Sequence, residues 1–362
     1  MSSALPRSAS TPRGVLAAWC QVARSGGAAL ARALWLVFRQ PSQLWFALAT
    51  PWKLWRYRRR QAATRSLSAL SPGVWRAPLL AEPPDEQEPL VVLQFTGTGE
   101  SVHAAYANTR GLFARVPALL GATHYVFEAP LDVGAYYGPE AFGASLWQRV
   151  EPIVQHYPGP FVLLGVSRGG LVALDHGARI AEEHGKVASV LALSAPTTRP
   201  THIPKIIAGI SGFVESLEGL AQALPDVARR VRRDIEALVS FFYLTLIALI
   251  LRFHRVFDLP SLDRHALDVS DHGVVPATVR CAREFRLLVR ASERKLQLHT
   301  QLVQQALDRH RRRFFACLVW GAEDGWIDAQ TCLVRFAEAG GKQGSEPAAE
   351  TCVVAGLGHL LA

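Results

Sequence analysis

The chain has 362 residues, which suits one large α/β domain with an insertion, and its formal net charge is +9. Residues 1–81 contain eleven Arg, one Lys and no acidic residue, a local charge of +12 that leaves −3 for the remainder. Because the rest of the chain is not basic, the overall charge is no argument for nucleic acid as a partner.

The five Cys residues are scattered and include no Cys-x-x-Cys pair. Their odd number and their spacing predict free thiols in a reducing compartment rather than disulfides or a metal site. No motif indicates a bound cofactor. We therefore expect a cytoplasmic protein without a metal centre or cofactor.

Residues 1–81 are predicted to form a basic, partly helical extension. Within it, residues 28–60 combine apolar stretches, Trp at four positions and a closing basic run, but no uninterrupted apolar stretch reaches the roughly 20 residues of a spanning helix. Trp and Arg together favour a segment that lies peripherally on an anionic membrane surface. Packing onto the rest of the protein and a cleaved organellar leader are the alternatives.

An alternation of strands and helices begins after a Pro-rich linker at residues 81–89. It predicts a mostly parallel sheet flanked by helices, with right-handed crossovers. The predicted strands of this first half are Leu90–Phe95, Tyr125–Phe127, Phe161–Val166 and Val187–Leu193. The predicted helices are His103–Arg115, Pro139–Tyr157 and Leu171–Glu183.

The stretch Gly165-Val-Ser-Arg-Gly169 joins the predicted buried strand to the helix that follows it. A strand, a sharp turn and a helix are the context in which Gly-x-Ser-x-Gly is a nucleophile elbow. Glycines are needed there because the turn is strained and leaves no room for a neighbouring Cβ. We therefore interpret Ser167 as a nucleophile, the alternative being an ordinary glycine-rich turn.

Residues 197–313 interrupt the alternation and are predicted to form an inserted helical cap. Its centre, Ala237–Leu251, is apolar around the whole helical circumference and must be buried in protein or in lipid. These fifteen residues would form a helix about 22 Å long, short of the roughly 30 Å hydrocarbon core. We therefore expect this stretch to form either the core of a hydrophobic lid or a helix inserted in lipid.

The alternation resumes with predicted elements at Phe314–Trp320, Asp328–Ala339 and Thr351–Val354. Catalytic groups of open α/β sheets gather at the carboxyl ends of strands, where Ser167, Asp324 and His359 all lie in this pattern. His359 would take the proton of Ser167, and Asp324 would hold the imidazole. Glu323 is the competing acid.

The oxyanion of such a reaction needs two preorganised donors. One is expected to be the backbone N–H of Arg168, directly after the nucleophile. The other is expected in the turn after Phe95, from Thr98 first and otherwise from Thr96 or Gly97. Glu100 and His103 follow this turn and are interpreted as residues at the start of a helix, the alternative being that they line the mouth of the site.

These motifs together resemble the α/β-hydrolase superfamily. The matching stretches are Phe95-Thr-Gly97, Gly165-Val-Ser-Arg-Gly-Gly170, Gly321-Ala-Glu-Asp324 and Gly356-Leu-Gly-His359. The resemblance covers residue 90 to the end apart from the cap, so the core is assigned to residues 82–196 and 314–362. It implies an acyl-enzyme mechanism. Against the family pattern, little room is left for antiparallel strands before Leu90, and the helix usual after the catalytic His is missing.

The sequence therefore predicts a carboxylic ester hydrolase that acts on lipophilic acyl compounds through an acyl-Ser167 intermediate. A thioesterase or an acyltransferase would use the same residues. The alternative outside the enzymes is a non-catalytic protein that interacts with other molecules at a membrane surface and is built on a hydrolase scaffold.

Overall fold

The computed structural model describes residues 67–79, 90–98, 100, individual positions between 102 and 128, and residues 144–198, 293–339 and 349–358. The predicted membrane-surface segment at 28–60 and the apolar stretch Ala237–Leu251 lie outside these residues. The strands are β1 (Ser68–Ser71), β2 (Val74–Arg76), β3 (Val91–Phe95), β4 (Thr123–Phe127), β5 (Phe161–Val166), β6 (Ala188–Leu193), β7 (Phe314–Gly321) and β8 (Ala349–Val354). The helices are α1 (Ala144–His156), α2 (Arg168–Glu183), α3 (Glu293–Arg309) and α4 (Ala329–Ala339).

The described strands form one sheet of eight strands in the order β1-β2-β4-β3-β5-β6-β7-β8. All neighbouring pairs from β4 through β8 are parallel, and β2 pairs antiparallel with both β1 and β4. The predicted mostly parallel sheet with flanking helices is confirmed. The strands β3, β5, β6 and β7 begin and end within two residues of their predicted bounds.

The expectation of little room for antiparallel strands before Leu90 is wrong. β1 and β2 form a hairpin around Gly73, whose φ of +76° is one that glycine adopts without strain. Trp75 of β2 pairs with Val126 of β4, so the hairpin belongs to the main sheet. The sheet therefore begins at Ser68, inside the segment predicted as an extension.

The helix α3 lies inside the segment predicted as a cap, but it packs in the main core. Leu296, Val303 and Leu307 are buried there in one cluster with residues of α2, α4 and β7. Gln304 of α3 also donates a hydrogen bond to the carbonyl oxygen of Phe336 in α4, at 2.9 Å. The core layer thus resumes by Glu293, earlier than the predicted boundary at residue 313.

The four described helices contribute to one hydrophobic cluster on a single face of the sheet. Every second residue of the central strands points into it, including Leu93, Leu163, Val190 and Leu318. This packing fixes the strand ends from which the candidate site is built. None of the helices in the described ranges combines the length and the apolar character that crossing a bilayer requires.

Candidate active site

Ser167 lies between β5 and α2 in a backbone conformation that is rare for any residue except glycine, with φ 55° and ψ −124°. Its N–H donates to the carbonyl oxygen of Leu193 at 2.7 Å, and its carbonyl oxygen accepts from the N–H of Gly170 at 2.9 Å. A strained residue held from both sides in this way is typical of a functional position. Because α2 begins at Arg168, it starts three residues earlier than predicted.

The two motif glycines around Ser167 are required by backbone packing. A Cβ on Gly165 would overlap the carbonyl group of Gly169, and a Cβ on Gly169 would overlap the carbonyl oxygen of Phe95. In both cases the obstacle is main chain rather than a side chain that can move. The tight contact therefore brings β3, β5 and the start of α2 together under Ser167.

Three observations decide the fold. They are the order of the strands, the antiparallel pairing of β1 and β2 at the start of the sheet, and the strained serine between β5 and α2. This chain has the α/β-hydrolase fold. Ser167 lies in the turn after β5, the position at which the sequence predicts a nucleophile elbow.

No family model matches this chain, and no curated protein matches it in sequence. Among solved structures, it is similar to a Cif epoxide hydrolase from Acinetobacter nosocomialis, with 9% identity, a TM-score of 0.48 and coverage of 87% of this chain and 91% of the other. A bacterial membrane phospholipase A matches with 16% identity, a TM-score of 0.46 and coverage of 91% of both chains. Naproxen esterase from Bacillus subtilis matches with 14% identity, a TM-score of 0.41 and coverage of 80% and 81%. The fold assignment rests on the strand order and the elbow, not on these distant similarities.

Asp324 follows β7, at the same edge of the sheet as Ser167. The residue is 9% exposed, and its Oδ1 accepts hydrogen bonds from the N–H groups of Trp326 at 2.8 Å and Ile327 at 3.1 Å. The neighbouring acid Glu323 is exposed. Because Asp324 is buried and oriented by the backbone, it fits the role of a fixed carboxylate better than Glu323 does.

The loop that carries Asp324 contacts the loop after β8. The N–H of Ala322 donates to the carbonyl oxygen of Val354 at 2.9 Å, and the N–H of Glu323 donates to that of Leu357 at 3.0 Å. His359 follows two residues after Leu357 and lies outside the described residues. Its role as the base therefore stays a prediction.

Three buried histidines of the described chain could rival His359, and their burial argues against each of them. Burial lowers the pKa of His176 to about 3, that of His124 to about 3 and that of His299 to about 4, so all three are neutral at physiological pH. The Nδ1–H of His176 donates to the carbonyl oxygen of Val172 at 2.9 Å within α2. These residues are parts of the core rather than proton acceptors open to substrate.

The turn after β3 supplies the candidate donors for the oxyanion. The N–H of Thr96 donates to the carbonyl oxygen of Phe127 at 3.2 Å, which engages it in the sheet. The N–H of Gly97 donates to Oε2 of Glu100 at 2.9 Å. Thr96 and Gly97 thus both donate within the fold, and the role of Thr98 as an oxyanion donor stays a prediction.

The sequence pattern favours Glu100 as a residue at the start of a helix, with a place at the mouth of the site as the alternative. Its side chain turns back to the glycine three positions earlier and accepts a hydrogen bond from the Gly97 N–H at 2.9 Å.

One group of side chains in the described part of the chain could approach a metal ion: Glu151, Glu183 and His184, whose ligand atoms lie within 4.8 Å of one another. The side chains of both Glu residues are more than one-third exposed, at 37% and 42%, and Glu183 already pairs with Arg179 at 2.9 Å. The group lies at the far end of α2 from Ser167, so it has no part in the chemistry at the elbow.

Proposed function

We propose that this protein is a serine hydrolase that cleaves carboxylic esters of lipophilic acyl compounds. The observation that carries the proposal is the strained Ser167 between β5 and α2, with the buried Asp324 at the end of a parallel strand of the same sheet. Strain at a serine in this position serves to expose the hydroxyl above the sheet beside backbone N–H groups.

In the proposed reaction, Oγ of Ser167 attacks the ester carbonyl carbon while His359 takes the hydroxyl proton. The N–H groups of Arg168 and Thr98 hold the resulting oxyanion. When the tetrahedral species collapses, the alcohol leaves with the proton from His359, and the acyl group stays on Ser167. Water then attacks the acyl-enzyme, again with His359 as the base, and releases the acid and free Ser167.

Asp324 acts in this scheme as a fixed negative charge. It orients the imidazole of His359 and stabilises the imidazolium that forms in both steps. The two backbone hydrogen bonds to Oδ1 support this role, because they hold one oxygen of the carboxylate in place.

The lipophilic character of the substrate is inferred from the sequence of the cap, in which Ala237–Leu251 is apolar on every side. Thioesters, or alcohols and thiols as acyl acceptors, would pass through the same acyl-enzyme. A non-catalytic scaffold on a membrane surface is the competing proposal from another class.

Labelling with a fluorophosphonate probe tests the proposal directly. The wild-type protein is expected to form a covalent adduct that is absent in Ser167→Ala, because the probe reports an activated serine. Glu323→Gln serves as the matched control and is expected to label like the wild type. A folded wild-type protein that does not label would instead support the non-catalytic scaffold.

A further inference from the structure

We infer that Glu100 is a positioning residue, which fixes the turn that presents the N–H of Thr98 to the oxyanion. The inference rests on the proposed function and extends it to a residue outside the catalytic triad. It is carried by the contacts of Gly97, both of whose backbone groups are bound by Glu100.

The two contacts close the turn from both ends. The N–H of Gly97 donates to Oε2 of Glu100 at 2.9 Å, and the N–H of Glu100 donates to the carbonyl oxygen of Gly97 at 3.4 Å. Thr98 lies between these two residues in the chain. With Gly97 and Glu100 tied to each other, the peptide between Gly97 and Thr98 has little freedom to rotate, and the direction of the Thr98 N–H is set.

The same turn is held against the nucleophile strand. A Cβ on Gly97 would lie 3.0 Å from the carbonyl oxygen of Val166, the residue directly before Ser167, and 3.3 Å from Oε2 of Glu100. Gly97 is thus buried between the elbow and the Glu100 carboxylate. A small rotation of this turn would move the donor relative to Ser167.

The hydrogen bonds donated by the N–H groups of Thr96 and Gly97 hold the start of the turn. The N–H of Thr96 is held by Phe127 of β4, so the turn is anchored before Gly97. Loss of the Glu100 carboxylate would free the N–H of Gly97, which could then compete with that of Thr98 for the oxyanion in a different geometry. Donors of this kind act only when they are preorganised, and small misplacements are costly to the rate.

The role is tested with Glu100→Ala, Glu100→Gln and Glu338→Ala, the last being an exposed acid on α4. Hydrolysis of 4-nitrophenyl butyrate is expected to lose about tenfold or more in kcat in Glu100→Ala, with KM changed less than about twofold. Glu100→Gln keeps an acceptor oxygen at the same place and is expected to restore most of the rate. Binding of an alkyl trifluoromethyl ketone, which forms the tetrahedral adduct, should weaken in parallel with kcat.

Hydrogen exchange of the 97–100 turn gives a readout that does not depend on catalysis. It is expected to accelerate in Glu100→Ala and not in Glu100→Gln or Glu338→Ala. If Glu100→Ala is poorly folded, Glu100→Asp, whose carboxylate is one methylene shorter, is expected to show the same loss in milder form.

Three results would overturn the inference: unchanged exchange in Glu100→Ala, equal loss of kcat in Glu100→Gln and Glu100→Ala, or a gain in kcat in Glu100→Ala. The last would mean that the carboxylate obstructs the oxyanion. A wild-type protein that fails to label with a fluorophosphonate, but whose exchange responds as expected, would refute the proposed function and leave the positioning of the turn supported.

Discussion

Gly321 packs directly against the backbone of Gly358, so closely that a Cβ on Gly321 would overlap the Gly358 carbonyl oxygen. Gly321 is the last residue of β7, three positions before Asp324, and Gly358 directly precedes His359. The two chain segments that supply the proposed acid and base therefore touch through their main chains. This contact supports the proposal that Asp324 and His359 act together with Ser167.

We predict that Ser167→Ala, Asp324→Asn and His359→Ala each lower kcat for ester hydrolysis by several orders of magnitude. Asn at 324 retains an Oδ1 that can accept from Trp326 and Ile327, so the loop keeps its support and only the charge is lost. Steady-state kinetics of the single and double variants measure this. The double variants should lose little more than the single ones, because the three groups act as a unit.

Glu323→Gln is the matched control for the acid. This residue is exposed, and its N–H makes the contact with Leu357, which the substitution leaves in place. Its turnover is expected to equal that of the wild type. An inactive Glu323→Gln together with an active Asp324→Asn would reverse the assignment of the acid.

Replacing Gly165 by Ala is predicted to prevent folding or to destabilise the protein severely, because the added methyl group meets the main chain of Gly169. Gly356→Ala is the matched control. Gly356 has φ +76°, but no atom lies within 4 Å of the place that its Cβ would take, so only backbone strain of about 1 kcal/mol is expected. Thermal unfolding of both variants tests the difference; equal melting temperatures would contradict the described elbow packing.

Asp175 is predicted to make stability fall as the pH rises. Burial raises the pKa of its carboxyl from 3.8 to about 7, with Glu183 acting in the same direction and Arg179 in the opposite one. Between about pH 4 and pH 7 the unfolded chain has released this proton while the folded protein retains it. The free energy of unfolding therefore loses a contribution of at most about 4 kcal/mol across this window and is level above it.

Urea unfolding of wild type and Asp175→Asn at pH 4, 6 and 8 measures this effect. The stability of the variant relative to the wild type is expected to increase from pH 4 to pH 8, because Asn cannot ionise. Glu338→Gln, an exposed acid on α4, should show no such trend. A difference between Asp175→Asn and wild type that stays constant with pH would show that the carboxyl titrates alike in both states.

The proposed substrate class predicts a dependence on acyl length. If the apolar stretch Ala237–Leu251 lines the acyl pocket, each methylene buried should contribute about 0.8 kcal/mol until the pocket is full. kcat/KM should then be higher for octanoate than for butyrate esters, and higher for butyrate than for acetate. Equal kcat/KM for acetate and octanoate esters would rule out an apolar acyl pocket.

The basic segment before the sheet predicts binding to anionic membranes. Full-length Ser167→Ala protein should co-sediment with phosphatidylserine-containing vesicles at low salt and be released partly at high salt, since each Arg near such a surface contributes about 1 kcal/mol. Changing Arg56, Arg58, Arg59 and Arg60 to Gln in the full chain should weaken binding. If the protein stays in the supernatant at low salt, the segment does not bind membranes and its role is structural.

The positions of two residues of the candidate site could be predicted because they follow the ends of strands. Long apolar runs located β5 and β7, and the residues directly after them included Ser167 and Asp324. What the sequence could not decide was which N–H of the turn after β3 faces substrate. The acceptors of two of these N–H groups lie elsewhere, Phe127 for Thr96 and the Glu100 side chain for Gly97.

The fold was harder to predict where elements are short or their partners are unknown. β1 and β2 have only four and three residues, too few for an alternating pattern to stand out. For α3, the amphipathic pattern of Glu293–Arg309 predicts a helix with one buried side, but not which layer buries it. The sequence pattern therefore assigns this segment to the cap, although it lies on the sheet.

The β1–β2 hairpin also covers the edge that β4 would otherwise present. All five residues of β4 are buried, and without β2 this apolar strand would end the sheet with unpaired backbone groups that another chain could extend. β1 ends the sheet instead. It has four exposed residues and an irregular register between Ala69 and Ser71, features that make a poor template for a further strand. Variants that detach this hairpin should therefore aggregate before they lose the architecture around Ser167.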